Sequence, residues 1–379
     1  MRWLSNRLVL CAVATFLGAS PLATAEAQRP DDEIPATDRP DSLNIPLIEA
    51  ASARLIEIQE ADGAWPYEGV YRVQRQIPVG YRIGGTAIVC LALLDAPLAD
   101  RTAADRAIGK GVELILQELE HPLMKPSREN TYDVRVWGHI YALDLFVRLE
   151  TSGRFDALVE KTTPWIEKLV DALVEQEIDG GGWNYANRNQ HASFVTAPAL
   201  QALISARSRG SDIPQDVFDR GVDVLNRSRA SHGAYRYSGT RREPSREEPI
   251  PGSIARNVIC ESTLQLLGHG DEARLQSAID AFYEHWDELE KRRKKTGTHE
   301  PPYGIAPYYF YYGHRYLAQG IALLPAEKRA QEYARFERVL LQTKDADDTW
   351  NDRVFDRSRA FGTAMSVLAL SRQDFRSKH

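Results

Sequence analysis

Apolar residues recur three or four positions apart along most of this chain, the period of a helix laid on a core. The period begins at Ile48, Ser52, Leu55 and Ile58. Gly63 ends this helix, and Trp65-Pro66 opens an extended loop, because the residue before a proline avoids helical geometry. The next helix, predicted over residues 83–94, is apolar almost all round, as a helix buried on every side must be. The alternation of a half-wet helix with a fully apolar one then repeats. Residues 106–120 precede 132–149, which carries Trp137, Tyr141, Leu145 and Phe146. The stripe Ile166, Leu169, Val170, Leu173 and Val174 precedes 192–206. Phe218, Val222 and Leu225 precede 254–267, with a charged, proline-rich and therefore non-helical loop at 241–252 between them. Residues 278–295 precede 303–323, and Tyr333, Phe336 and Leu340 precede 359–370.

The turns repeat as well. Gln59, Asp62-Gly63 and Trp65 are echoed by Gln176, Asp179-Gly180 and Trp183. Each set is followed by a Thr-Ala pair in the apolar helix, Thr86-Ala87 and Thr196-Ala197. Substituted copies end at Tyr235 and Trp350. The gaps between Trp65, Trp183, Tyr235 and Trp350 are 118, 52 and 115 residues. Two gaps are about twice the third, which places skipped turns near 128–133 and 301–303 and gives six helical hairpins. A ring of six closes on itself and hides both ends of what would otherwise be a capped solenoid. The predicted fold is all-α, a single α/α toroid over residues 45–379.

Composition adds a location. Arg2 and Arg7, a short apolar core at 8–19, and small residues at Ala23, Ala25 and Ala27 read as a cleavable signal peptide over 1–27. Residues 28–44 are rich in Pro and Asp and read as a disordered leader. The remainder is expected to be secreted or periplasmic, with no later run able to span a membrane. Removing 1–27 takes two Arg and one Glu from 47 basic and 53 acidic residues, leaving 45 − 52 = −7. A nucleic-acid partner is not expected at that charge. The basic run 291–295 suits a helix C-terminus, where cations meet the helix dipole. Cys90 and Cys260 sit in apolar helices, where a free buried thiol is the ordinary state, and a disulfide between them is the alternative in an oxidising compartment. No metal-ligand spacing is present, so neither a metal nor another cofactor is expected.

The motif Leu55-x3-Gln59-x3-Gly63-x-Trp65 resembles the QW repeat of squalene–hopene cyclases and related terpene cyclases. Gln176-x4-Gly181-x-Trp183 repeats it. Gly85-Thr86-Ala87 and Gly362-Thr363-Ala364 are also similar to that superfamily, which includes protein prenyltransferase β-subunits. The resemblance covers nearly all of the chain after the leader and implies the α/α toroid, with the QW residues bracing it. It also implies an Asp-x-Asp-Asp acid at the head of an inner helix. Asp345-Ala346-Asp347-Asp348 has that composition but sits in the turn before Trp350, and turns favour Asp for local hydrogen bonding. The prenyltransferase zinc ligands are not matched: Arg256-Asn257 and Cys260 lack the Asp, and Phe361-Gly362-Thr363 stands where the His belongs.

Chemistry in a toroid is expected in the central cavity, at one end of the inner helices. Polar residues recur there: Tyr81 and Arg82; Asp133, Arg135 and His139; His191; Arg256 and Asn257; Tyr308, Tyr312 and His314; Asp356 and Arg359. Converged on one mouth they form a funnel for an anionic or hydroxyl-rich ligand. His139, His191 and His314 are its candidate bases and Asp133 and Asp356 their orienters. Arg82, Arg135, Arg256, Asn257, Arg359 and the three tyrosines are its ligand-binding groups. The alternative is that these residues cap helices and satisfy a polar rim. The aromatic run 303–316 either lines a tunnel for an isoprenoid or packs the interior of a thick inner segment. Three functions follow: a terpene-cyclase-like protein with a ligand-binding cavity, a secreted polysaccharide lyase or hydrolase acting on a glycan, or a scaffold for a protein partner. An apolar aromatic cavity with a lone carboxyl acid favours the first, a basic, His- and Tyr-rich groove favours an acidic glycan, and a plugged centre favours the scaffold.

Overall fold

A computed structural model describes residues 44–67, 76–127, 129, 131–186, 188–239 and 248–371, all within the unit Pro35–His379. The predicted signal peptide, residues 28–43 of the predicted leader and most of the charged loop at 241–252 lie outside the described residues.

Among the described residues are thirteen α-helices. Six form an inner ring: α2 (Val79–Asp95), α4 (Arg135–Ser152), α6 (Ser193–Ser208), α8 (Ile250–Leu266), α11 (Tyr309–Leu323) and α13 (Ser358–Leu370). Each packs on the next, and α13 packs back on α2, so the ring is closed. The remaining helices lie outside: α1 (Ile45–Glu57), α3 (Thr102–Leu119), α5 (Asp156–Glu175), α7 (Gln215–Ser228), α9 (Glu272–Glu284), α10 (Trp286–Glu290) and α12 (Ala326–Leu341). This is the α/α toroid the periodicity predicts. The inner helices are buried nearly all round, α2 from Ile83 to Asp95 without interruption.

The hairpin pairing differs from the sequence expectation. Each outer helix from α3 to α12 packs most extensively on the inner helix before it, α3 on α2 and α5 on α4, rather than on the one after it. The reason is connection length. Inner helices hand over to outer ones in short links, such as 153–155 or 324–325, which force antiparallel neighbours. The outer-to-inner links are long because they contain the Trp turns. The first helix, α1, has no inner helix before it and packs on α13. Asn44 Nδ2 donates to Glu337 Oε1 at 2.8 Å, and Arg357 pairs with Glu60 at 2.8 Å across the same seam.

The turns repeat one geometry. The backbone N–H groups of Trp65, Trp183 and Trp350 donate to Oγ1 of Thr86, Thr196 and Thr363, each at 3.0 Å. Their indole Nε1–H groups donate to the carbonyls of Leu55 and Leu173 at 2.7 Å and of Leu340 at 3.3 Å. Tyr235 stands in the same way: its N–H donates to Asn257 Oδ1 at 3.0 Å. Gln59 Nε2 reaches the carbonyls of Gly63 and Ala107, both at 3.0 Å. Each turn thus clamps the end of an outer helix to the head of an inner one and leaves no buried Trp donor unpaired, which would cost about 1–3 kcal/mol.

Three local expectations are corrected. The fifth outer helix is not continuous over 278–295: it breaks at His285, which turns Trp286 inward so that its Nε1–H donates to His314 Nε2 at 2.9 Å. The fifth inner helix starts at Tyr309 rather than 303, after Pro307. Ile250, Pro251 and Gly252, expected in a loop, open α8, where proline in the first turn loses no hydrogen bond.

Candidate functional site

The ring encloses a cavity at the N-terminal ends of the inner helices, with a volume of about 860 Å³ including its open mouth. Its walls are aromatic. Tyr81, Trp137, Phe194, Tyr312 and Phe361 come from the first turns of inner helices, and Tyr67, Tyr132, Tyr185, Tyr237 and Tyr308 from the segments leading into them. Val134, Thr298, His299 and Arg353 complete the described lining. All six hairpins contribute. The rings form a continuous belt: Tyr67 lies 4.5 Å from Phe361, Tyr81 5.3 Å from Trp137, and Phe194 stacks on Tyr237 at 5.1 Å. The tyrosine hydroxyls mostly bond one another or the backbone, as in Tyr185–Tyr237 at 2.8 Å and Tyr312 donating to the Phe194 carbonyl at 2.7 Å. Burial raises the pKa of Tyr81, Tyr308 and Tyr312 well above the ordinary phenol value, so the belt is uncharged.

Of the residues predicted for the site, Tyr81, Tyr308 and Tyr312 line this cavity. The aromatic run 303–316 divides by face. Tyr308 and Tyr312, four apart, face the cavity, while Tyr311 packs on Thr343 and His314 on Trp286.

The predicted ionisable groups are turned elsewhere. Arg82 points outward and pairs with Asp62 at 2.9 Å and Glu118 at 3.0 Å. Asp133 accepts from the Arg135 backbone N–H at 2.8 Å and holds the Arg135 guanidinium at 2.5 Å; the pair is a loop brace. Burial opposes the Asp133 charge, but bonds from Arg135 and Thr131 outweigh it and hold its carboxyl below the usual range. His139 is clamped between the Gln176 side-chain amide at 3.1 Å and the Met124 carbonyl at 2.9 Å; the neutral ring donates to the Met124 carbonyl and accepts from the Gln176 amide turned to present its NH2. Among the described residues, the His191 ring reaches only Ser228, at 3.4 Å. His314 donates from Nδ1 to the Phe310 carbonyl at 2.7 Å while its Nε2 accepts from Trp286. Burial lowers all three histidines to about 4, which leaves them neutral.

Arg256 lies behind the wall, donating to the Tyr235 carbonyl at 3.0 Å and pairing with Glu248. Asn257 is the Tyr235 clamp already described. Asp356 is fully exposed, and Arg359 reaches it at 3.5 Å and Asp347 at 3.3 Å. The run Asp345 to Asp348 lies in an outer turn: Asp345 pairs with Lys294, Asp347 with Arg54 and Arg359, and Asp348 with Lys344. Among the described residues, no cluster of His, Cys, Asp and Glu could hold a metal ion.

The structure also brings forward residues that the sequence reading passed over. Val134, buried at the cavity wall, has φ 61°, a left-handed conformation that strains a β-branched residue. This twist separates its neighbours, sending the Tyr132 ring to the cavity and the Asp133 carboxylate to the brace. Past the last clamp, Asp352 is wholly buried, and neither carboxyl oxygen has a hydrogen-bond partner. Burial pushes its pKa up to about 7 against the opposing pull of Arg353 and Arg293. The signal was in the repeat: the second residue after each clamp is Tyr67, Tyr185 and Tyr237 in three turns, and Asp352 in the fourth.

No protein-family model matches the chain, and no curated protein does. Similar solved structures exist. An inactive variant of the alpha-1,6-mannanase GH76A of Salegentibacter sp. HEL1_6, in complex with alpha-1,6-mannotriose, superposes with a TM-score of 0.58 at 14% identity over 86% of this chain and 98% of that one. The type II terpene cyclase MstE from Scytonema gives 0.55 at 16% identity over 87% and 97%. A variant of that cyclase in complex with its substrate, geranylgeranyl dihydroxybenzoate, gives 0.54 at 15% identity over 87% and 97%. At these identities the likeness is one of fold, and that fold is the α/α toroid.

Proposed function

We propose that this chain is a terpene-cyclase-like toroid that binds an apolar, isoprenoid-type ligand in its aromatic cavity. The observation that carries this reading is the lining: ten aromatic rings from six hairpins, and no carboxylate among the described residues of the wall. Such a wall rewards burial of hydrocarbon, at roughly 25 cal/mol per Å². Glycoside hydrolysis, the chemistry of the mannanase-like alternative, needs a pair of carboxyl groups flanking the scissile bond. The described wall offers a sugar stacking surfaces and a few hydrogen-bonding groups, but no such carboxyl pair.

The reading is one of binding rather than alkene cyclisation. Protonating an alkene needs a strong acid, and Asp352, a buried carboxyl group next to lining residue Arg353, is a weak acid. The same reading takes residues 1–27 as an export signal, so that the toroid acts outside the cytoplasm; N-terminal sequencing of the exported chain tests that step.

The test of function is a fluorescence titration of the chain with farnesol and with alpha-1,6-mannotriose, following Trp137. Quenching that saturates with farnesol and is absent with the trisaccharide supports the proposal. Saturation with the trisaccharide alone replaces it with the glycan reading. Binding of neither moves the function to a protein-docking scaffold.

A further inference from the structure

The cavity wall is mostly aromatic, and its polar atoms without a hydrogen-bond partner among the described residues gather at one place. Tyr67 and Arg353 stand where the first and last hairpins meet, and Asp352, next to Arg353 in the chain, is buried behind them. Tyr67 and Arg353 line the cavity directly. Asp352 occupies the repeat position that puts a tyrosine into the cavity in three other turns, and its charge and that of Arg353 are both felt at the Tyr67 hydroxyl. All three side chains are at least nine-tenths buried: Tyr67 is 5%, Arg353 2% and Asp352 0% exposed. All three carry polar atoms with no partner, namely the Tyr67 hydroxyl, Arg353 Nε and Nη1, and both Asp352 oxygens. An unpaired buried polar atom costs about 1–3 kcal/mol, more if charged. Five such atoms in one patch are a standing demand for an outside partner.

The chemistry of that partner follows from the donors. Arg353 and Tyr67 offer N–H and O–H groups, and a protonated Asp352 adds one more. An oxygen-rich anion accepts all of them, and charge-assisted bonds of this kind are the strong ones. We infer that Tyr67, Asp352 and Arg353 form a polar pole that seats the carboxylate head of an apolar chain, with Asp352 protonated when the head is bound. The inference rests on the isoprenoid reading of the cavity and assigns the head group of its ligand.

Binding is then linked to a proton. The groups facing Asp352 are Arg353 beside it, Arg293 after α10, Tyr67 before α2 and Tyr311 on α11; the Lys294 backbone N–H meets only its carbonyl, at 2.9 Å. Burial raises Tyr67 and Tyr311 above the ordinary phenol value, so both stay neutral across pH 6–8.5, and burial lowers His299 in the cavity wall. Asp352 alone among them changes charge, at about 7. Below that value the pole is cationic and welcomes a carboxylate. Above it, Asp352 must take up a proton before the head can bind, at a cost of up to tenfold in affinity per pH unit.

The experiment compares farnesoic acid with farnesol, which differ only at the head, by calorimetry on the full chain at pH 6 and pH 8.5. The acid is expected to bind at least tenfold more tightly than the alcohol at pH 6 and to lose about tenfold or more at pH 8.5, with the alcohol unchanged. Asp352→Asn should keep the acid's affinity at pH 8.5 equal to that at pH 6, a gain no misfolded variant can mimic. Tyr67→Phe should weaken the acid several-fold and leave the alcohol alone. Equal binding of acid and alcohol overturns the pole and leaves the cavity reading standing. So does an acid pH profile that survives Asp352→Asn. Binding of neither ligand overturns both.

Discussion

Acidification should unfold this protein through its buried histidines. His139, His191 and His314 are 2%, 4% and 0% exposed, and burial lowers each from 6.5 to about 4. The folded pKa lies below the unfolded one, so between these values the unfolded chain binds more protons and stability falls as pH falls. Each shift is worth about 3 kcal/mol at 1.36 kcal/mol per unit, or about 10 kcal/mol for three. Asp352 works in the opposite sense. Its folded pKa of about 7 lies above its unfolded value of 3.8, so it lowers stability at neutral pH and returns about 4 kcal/mol as pH falls to 4. The histidines win by about 6 kcal/mol, comparable with the whole stability of an ordinary domain, about 5–15 kcal/mol.

The assay is urea unfolding followed by circular dichroism at half-unit steps from pH 7 to pH 4. Stability should drop by about 6 kcal/mol over that range, with the midpoint moving in step. His191→Asn is the cleanest variant, because among the described residues the His191 ring makes only the long contact to Ser228. It should remove about 3 kcal/mol of the acid sensitivity while changing neutral stability little. A flat profile between pH 6.5 and 4.5, or ring signals by NMR that titrate near 6.5, would refute the reasoning.

The turn clamps and the cavity can be probed separately. Thr196→Val removes the oxygen that accepts from the buried Trp183 N–H and should cost about 1–3 kcal/mol in urea unfolding. Trp137→Ala should weaken farnesol at least tenfold in the fluorescence-independent calorimetric assay, because it removes a ring central to the belt. Arg82→Ala should leave ligand binding unchanged and cost under about 1 kcal/mol, since Arg82 makes surface ion pairs with Asp62 and Glu118.

The ring was legible because its determinants are local and periodic. A helix that is apolar all round has nowhere to be but inside, and Trp65 marks a turn whose backbone and indole hydrogen bonds recur in the structure at Trp183 and Trp350. The cavity was not legible from residue type. A polar residue before an inner helix can face the hole or brace the loop, and both roles favour Arg, Asp and His. Asp133 and Tyr132 are adjacent, and at the left-handed twist of Val134 it is Tyr132 that faces the cavity. His139 was lost to the site for a similar reason, since Gln176 and the Met124 carbonyl claim both its ring nitrogens. Asp352 was hidden because its meaning is positional. It shows only when the turns are aligned on the clamp residue and the second position after it is compared.

That alignment separates what holds the ring from what faces the ligand. Trp350 keeps its two clamps, to Thr363 and Leu340, whatever stands two positions later. Residue 352 should therefore be free to change the ligand without changing the fold. Asp352→Tyr restores the residue found at the other three turns. The larger ring should cost about 1–3 kcal/mol in overpacking. At pH 8 that is offset by removal of a buried carboxylate whose raised pKa costs about 4 kcal/mol. The variant should fold with near-wild-type stability at pH 8, bind farnesol as well as or better than the parent, and lose its preference for farnesoic acid. A folded variant that keeps the acid preference would detach the head group from this turn. One that fails to fold at pH 8 would show that residue 352 belongs to the clamp after all.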